Sequence, residues 1–560
     1  MAIQKLKAPL DYVNPNYENW GIYKLDKNKD AFLIEVVERI IEKSRTTYPT
    51  TRALFDELAS TLYQERIRVT TSRWKSDPED EKDFWNNVKG QIIKFQKAQS
   101  WEDNDRAILE TLLKKILYRY AYEIVANFKP RIFELAQKFL PRILFLFLNS
   151  KLNSPFKFLF RKMSSFYEKF IITGDFELIR NLSKKGTIVV VPTHFSNTDS
   201  PLVGWALSSI GLEPVTYGAG INLVGTQPLS FMLNNLGAYK LDRRRKNALY
   251  LELLKSYSQM AIERDTPSLF FPGGTRSRSG ALESKLKLGL LSTAVEAQQE
   301  NFIHNRKKIF VLPLVINYQY NIECSSLINQ HLVEIGKEKY VSDSFEYSTT
   351  YKIIRFFKHL FHADTEVVVS FGKPLDIIGN EVNSNGDSIA PNGKPFDIKG
   401  YFEVENKIVR DEQRNFEYTK ILGSKIVSSY FENNTVMTAP LVAFVYFIQL
   451  KKRHKHLSLF EIMLLPREDR IVSRDNMMAG MATIIVKLKD LEKLNKVNLS
   501  EIIQESTIDN VLANGMNSIS LFNSKKVVYA DSDGNINSQD VRLAYFYHNR
   551  LIGYNLEEYL

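Results

Sequence analysis

In Ile188-Val189-Val190-Val191-Pro192-Thr193-His194-Phe195-Ser196-Asn197-Thr198-Asp199-Ser200-Pro201 a hydrophobic run gives way to polar residues. The apolar run reads as a strand buried on both faces, the kind that parallel sheets contain. The run empties into a polar loop, and a helix is expected from about residue 199. Working outward, the same alternation repeats. A strand-like turn at 237–242 precedes a helix at 247–264, and a strand at 267–272 precedes a helix near 287–299. Ile309 to Ile316 reads as a further strand, and Glu366 to Phe371 as another. Strands alternating with helices predict an α/β class fold, a mixed sheet flanked by helices.

The flanks differ from this core. Residues 1–128 predict a helical N-terminal domain, with Ile108, Leu112, Ile116, Leu117 and Tyr120 at helical spacing and Ser100 and Asn104 as caps ahead of them. Trp74 to Asp83 is charged, contains Pro78 and connects two helices. The α/β domain is expected over 129–380, entered through an amphipathic segment at 129–170. There Pro130, Pro141 and Pro155 cut the chain into short pieces in which Phe and Leu alternate with Lys and Arg. Such a segment either lies in a lipid headgroup plane or packs on the core with its lysines facing water; period alone does not separate the two. Residues 381–400, rich in Asn, Gly, Asp and Pro, read as a linker or loop. Residues 401–560 predict a mostly helical C-terminal domain with a hairpin near Asp531-Ser532-Asp533-Gly534-Asn535.

At 560 residues the chain exceeds one ordinary core, so two or three domains are expected. The formal net charge of +11 favours anionic partners. A single cysteine, Cys324, excludes an intrachain disulfide and any cysteine metal knuckle. The N-terminal residues lack the apolar core of a signal peptide, and no run approaches the ~20 apolar residues of a membrane span. The expectation is a protein that is soluble or bound to a membrane surface, in the latter case peripheral at the cytoplasmic face of the cell membrane and without a transmembrane helix.

His194 and Asp199 carry the first chemistry. Imidazole is the side chain that changes protonation near neutral pH, and a carboxylate on one ring nitrogen leaves the other free to take a proton. The spacing works if His194 sits on the loop and Asp199 in the first turn of the next helix, with Ser196 or Asn197 near the cap. A second cluster, Phe270-Phe271-Pro272-Gly273-Gly274-Thr275-Arg276-Ser277-Arg278-Ser279-Gly280, combines the groups that hold a phosphate. Glycines let backbone N–H groups approach an anion, Thr275 and Ser277 add hydroxyls, and arginine grips phosphate with two N–H bonds. Between them, Leu241-Asp242-Arg243-Arg244-Arg245-Lys246 concentrates positive charge, which is most often a solvated helix start. A base beside a phosphate clamp suits chemistry on a phosphorylated alcohol.

Taken together these blocks resemble the glycerol-3-phosphate acyltransferase family within the glycerolipid acyltransferase superfamily. The first family block is matched by Val191 to Asp199. The second is matched by Gly237, Tyr239, Leu241 and Arg243, and the third, Phe-Pro-Glu-Gly-Thr-Arg-Ser, by Phe271 to Ser277. The fourth, an apolar strand carrying a proline, is matched by Val311-Leu312-Pro313-Leu314. The resemblance covers about residues 165–330. It implies transfer of an acyl group from acyl-CoA or an acyl carrier protein thioester to the sn-1 hydroxyl of glycerol 3-phosphate, in phospholipid biosynthesis. In it His194 and Asp199 are catalytic, and Arg243, Gly274, Thr275, Arg276, Ser277 and Arg278 bind substrate, with Lys285 or Lys287 behind them. It implies no metal and no cofactor beyond the thioester, peripheral contact with anionic membrane, and no nucleic acid. Lysophosphatidate and dihydroxyacetone phosphate are the alternative acceptors.

One position departs from the pattern: the glutamate of the third block is Gly273. Its absence either weakens substrate binding or is offset by a nearby acid such as Glu283. It also motivates a reading of another class, a non-catalytic lipid- or membrane-binding scaffold on the same fold, against which both His194 and Asp199 are present. The Asp531–Asn535 stretch is not a calcium loop, since its glycine falls at the fourth position and no glutamate at the twelfth. Tyr351 to Leu360, basic and aromatic, reads as a surface helix, with membrane contact the second reading.

Overall fold

The computed structural model describes residues 4–74, 77–98, 103–148, 167, 169–221, 231, 234–335, 366–520, 523 and 525–560. The surface helix expected at 351–360, residues 149–166 of the amphipathic segment, and Ser100 lie outside the described residues.

Eight strands form the central sheet: β1 (Gln4–Lys5), β2 (Phe170–Gly174), β3 (Gly186–Pro192), β4 (Thr216–Gly220), β5 (Ala238–Leu241), β6 (Ser268–Leu269), β7 (Lys308–Tyr318) and β8 (Val367–Phe371). Their spatial order is β1-β2-β8-β7-β3-β6-β4-β5. From β7 to β5 every neighbouring pair is parallel, and β8 returns antiparallel to β7. Burial on both faces explains the unbroken apolar runs. Ile188 and Val190 of β3 join Phe310, Leu312 and Leu314 of β7 in one core layer, and Val189, Val191, Ile309 and Val311 face the other.

Helices complete the layers. Asp175 caps the helix Phe176–Lys185 by accepting from the Leu178 N–H, and Asn247 caps Ala248–Glu263 through the Tyr250 N–H. The helix Asp199–Ser209 carries Pro201 in its first turn, where no N–H is required. The N-terminal region supplies four long helices, Lys29–Thr47, Thr51–Thr71, Glu81–Ala98 and Asp103–Ile124. Their core is continuous with Tyr239, Leu249, Tyr250 and Leu253 of the α/β layer. The predicted stripe is shifted there: Leu112, Ile116, Leu117 and Tyr120 are buried beside Leu109 and Leu113, whereas Ile108 is exposed. The helix Glu412–Glu432 packs Leu422, Ile426 and Tyr430 into the α/β core, and the helices from Thr438 onward build a further core together with Cys324, Leu327 and Leu332.

Two local expectations change. Pro130 to Leu148 is one helix rather than pieces cut at Pro141. Pro130 occupies the first helical position, which favours proline, and Pro141 removes one intrahelical bond without ending the element. The turn-rich 381–400 stretch contains short pairings at 388–389 with 395–396, and Val382 and Ile398 anchor it in the core. The expected hairpin is present, Tyr529–Ala530 with Ile536–Asn537, turned at Gly534.

Candidate active site

The first three motif blocks run off the carboxyl ends of parallel strands β3, β5 and β6, and the fourth lies within β7 beside β3. That end of an α/β sheet opens a crevice where loops converge. The His194 loop, directly after β3, is central.

Asp199 is fully buried, and its Oδ2 lies 2.8 Å from His194 Nδ1. The same oxygen accepts the N–H groups of Phe195 and Ser196, at 2.6 and 2.8 Å. The Tyr318 hydroxyl donates to Oδ1. Burial first, then the charge of Asp199, hold the Tyr318 phenol well above its ordinary pKa, so it remains a donor. Because an ionised carboxylate can only accept, it assigns the Nδ1 proton to the shared bond and leaves the Nε2 lone pair free to accept. Among the described residues Nε2 carries no hydrogen bond. The imidazole stacks on Phe271, with ring centroids 4.1 Å apart, and the side chain is 15% exposed, which keeps it reachable. Asp199 therefore orients the imidazole from the first helical turn, with Thr198 as the cap residue and Ser196 and Asn197 just before it.

The third block wraps around this pair. Ser277 N–H donates to the His194 carbonyl at 2.7 Å, and the Ser277 hydroxyl to the Ala281 carbonyl. Ser277 thus ties the loop together. Gly274 has φ +76° and lies under the aliphatic stem of Lys287, whose ammonium would crowd any side chain there. Arg276 reaches Glu323 Oε1 at 3.3 Å, and Arg278 pairs with Glu334. Glu323 also accepts from Ser196 Oγ at 2.8 Å and from the Asn197 N–H at 3.0 Å. Arg243 is exposed on the turn after β5. Partial desolvation, then repulsion from Arg276 and Arg278, hold its guanidinium below the ordinary value, so three cations share one region.

Glu283 answers the departure at Gly273. A Cβ on Gly273 would lie 3.1 Å from Glu283 Cγ and 3.3 Å from Oε1, so the Glu283 side chain fills the space beside that glycine. Its Oε1 accepts the His194 backbone N–H at 2.7 Å. Burial pushes the Glu283 carboxyl up to about 7, against the pull of that N–H.

The remaining supports were not legible beforehand. Tyr318 ends β7, Asn321 donates to the Phe195 carbonyl at 2.7 Å, and Arg550 lies 3.8 Å over the Phe195 ring. Arg550 also donates to Ile316 O and Asn317 Oδ1. Asn549 Nδ2 donates to the Ser279 carbonyl at 2.8 Å, and Tyr547 Oη accepts from the Asn321 N–H. These C-terminal residues brace the site from more than 200 positions away in sequence. The neighbours of Arg243 also differ from the solvated run expected: Arg245 is buried among carboxylates, and the half-buried Arg244 pairs with Asp77 and Asp242. Cys324 is buried and its thiol pushed up to about 12, so it is no nucleophile at neutral pH.

Residues 175–317 match the family model described as Acyltransferase. A glycerol-3-phosphate acyltransferase of Histophilus somni (strain 129Pt) is 34% identical over 165 residues, covering 29% of this chain and 20% of that protein. A probable mitochondrial glycerol-3-phosphate acyltransferase of Caenorhabditis elegans is 33% identical over 159 residues, 27% of this chain and 21% of its own length. A glycerol-3-phosphate acyltransferase of Alteromonas mediterranea is 25% identical over 320 residues, 57% of this chain and 34% of that protein. The chain thus spans only between a fifth and about a third of the length of these relatives. Residues 175–317, which hold both His194 and Asp199, thus match an acyltransferase family model, and the chain is similar over part of its length to glycerol-3-phosphate acyltransferases.

Proposed function

We propose that this chain is a glycerol-3-phosphate O-acyltransferase, moving a fatty acyl group from an acyl-CoA or acyl carrier protein thioester to the sn-1 hydroxyl. The observation that carries the reading is the His194 Nδ1–Asp199 Oδ2 bond of 2.8 Å beside Arg243, Arg276 and Arg278. A buried carboxylate orients the base, and three guanidinium groups meet a phosphate dianion.

His194 Nε2 takes the hydroxyl proton as the oxygen attacks the thioester carbonyl carbon. The C–O bond forms, the C–S bond breaks, and the imidazolium returns its proton to the departing sulfur, giving a thiol. Asp199 stabilises the imidazolium between the two steps. A thioester is already activated, so a positioned general base worth ~10²–10⁴ together with alignment of the two reactants carries the reaction without a covalent enzyme intermediate. Arg243, Arg276 and Arg278 hold the phosphate with the Gly274–Thr275 turn, and Lys287 adds charge over Gly274.

Contact with an anionic membrane surface at the cytoplasmic face belongs to the same proposal. Among the described residues no helix is long and apolar enough to cross a membrane. Leu135 and Phe139 are exposed on the helix Pro130–Leu148, and the chain carries a net charge of +11. Pelleting with anionic vesicles that weakens as salt rises supports this contact; no pelleting at low salt removes it.

The enzymatic test is thiol release from acyl-CoA and from acyl carrier protein with glycerol 3-phosphate, lysophosphatidate and dihydroxyacetone phosphate as acceptors. Release that requires glycerol 3-phosphate and vanishes in His194→Ala is expected. Preference for lysophosphatidate overturns the acceptor, and release indifferent to His194 overturns the enzyme.

A further inference from the structure

Three consecutive arginines follow β5, and among the described residues one of them, Arg243, pairs with no carboxylate. Arg244 makes a fork to Asp242, Nε to Oδ1 at 2.9 Å and Nη2 to Oδ2 at 2.7 Å, while also pairing with Asp77 and stacking on Trp74 at 4.0 Å. Arg245, 2% exposed, meets Glu123 at 2.6 Å and Glu81 at 3.1 Å, with Glu65 at 3.7 Å. Glu81 and Glu65 are themselves held by Arg68, Arg119, Tyr120 and Trp85. The chain on either side is pinned as well. The Asp242 N–H donates to the Tyr250 hydroxyl at 2.8 Å, and Asn247 Nδ2 donates to Glu65 at 2.9 Å. Asp77, Glu65, Glu81 and Glu123 all belong to the N-terminal helical region. Among the described residues Arg243 has no hydrogen bond or ion pair, and it is exposed.

A buried ionic network is a poor source of net stability, because desolvation offsets its Coulomb energy and a well-packed apolar core does as well. What planar guanidinium forks do supply is a single orientation of the backbone that carries them. Here that backbone flanks Arg243 on its C-terminal side and through Asp242. We propose that the N-terminal helical region is a positioning element for the acceptor site. By holding Arg244 and Arg245, it fixes the turn that presents Arg243 to a phosphomonoester dianion. This inference rests on the reading of Arg243 as a phosphate-binding residue. It assigns to the N-terminal region a part in recognising the acceptor.

The test uses the full chain and the variants Arg244→Gln, Arg244→Lys, Arg243→Ala and the double Arg243→Ala/Arg244→Gln. Asp77→Asn replaces Arg244→Gln if the latter does not fold. Calorimetric binding of glycerol 3-phosphate and of inorganic phosphate is read beside steady-state kinetics and thermal melting. Displacing a substrate-holding group by about 1 Å costs up to ~10²-fold. Arg244→Gln is accordingly expected to weaken glycerol 3-phosphate binding about tenfold and raise its KM to match, with kcat and the KM for the thioester within about twofold. Arg244→Lys, keeping the charge without the fork, is expected to fall between. The double variant is expected to bind no more weakly than Arg243→Ala alone, since the tie acts through Arg243. Additive losses, unchanged affinity in Arg244→Gln, or a fall in kcat tracking the melting temperature would overturn the proposal. Binding of inorganic phosphate but not glycerol 3-phosphate by the wild type sinks the proposed function, and the phosphate arm still decides the positioning role. Failure to bind either sinks both.

Discussion

Replacing Asp199 by Asn isolates what the buried charge contributes to the reaction. The asparagine carbonyl can occupy the Oδ2 position and keep the N–H bonds from Phe195 and Ser196, now at 2.6 and 2.8 Å. The amide nitrogen then faces Tyr318, whose hydroxyl turns to accept. The native hydrogen bonds are largely conserved, and a stability loss of only about 1–2 kcal/mol is expected. The imidazolium, however, loses its counter-charge. With the charge centres about 4 Å apart and an effective dielectric near 20, that attraction is on the order of 4 kcal/mol. At about 1.4 kcal/mol per decade, the expected fall in kcat for thiol release is about 10³-fold, with the KM for either substrate little changed. The double variant His194→Ala/Asp199→Asn should be no slower than His194→Ala, because the two side chains act as a unit. A folded Asp199→Asn protein that retains kcat within about threefold would refute the assignment.

Further outcomes come from the surrounding loops. A Glu283 carboxyl raised to about 7 from an ordinary value near 4.5 binds more protons folded than unfolded between those pH values, so its contribution is fully present below about 4.5 and lost as pH rises through 7. Because the residue is only partly buried, the cost at pH 8 is on the order of 2 kcal/mol. Glu283→Gln should therefore stabilise the protein at pH 8 and not at pH 4.5, and equal denaturant midpoint shifts at both would contradict this. Arg276→Lys loses the planar fork, and the KM for the phosphorylated acceptor should rise about 10–100-fold with a smaller change in kcat. Gly280 has φ +85°, and a Cβ there would overlap the Phe546 carbonyl oxygen. Gly280→Ala should cost at least about 2 kcal/mol in denaturant unfolding and release the C-terminal brace from the third block.

How far the chain could be read beforehand follows from the range of each signal. β3 and β7 are unbroken apolar runs because both faces are buried, so their sequence is sufficient. β4, Thr216–Gly220, contains two glycines and carries little strand signal, and β1 is two residues placed by pairing with β2. The His194–Asp199 pair was legible because its partners are five residues apart and bracket a strand-to-helix turn. Tyr318, Asn321 and Arg550 gave no such signal, since their role depends on folding segments 120 to 350 residues away onto one loop. Arg244 and Arg245 misled for the same reason. A charge run is solvated unless distant carboxylates converge on it, and Asp77, Glu81 and Glu123 do so only in the folded chain. Glu283 was identifiable as an acid near Gly273, but its hydrogen bond to the His194 N–H was not.

The most direct test of the central claim is formation of 1-acylglycerol 3-phosphate from glycerol 3-phosphate and an acyl thioester, followed by mass spectrometry for the wild type and His194→Ala. Product is expected with the wild-type protein, and a loss of at least about 10²-fold in the variant, with the fold intact by melting. Equal product from both, or none from the wild type with either acyl-CoA or acyl carrier protein as donor, would contradict the claim.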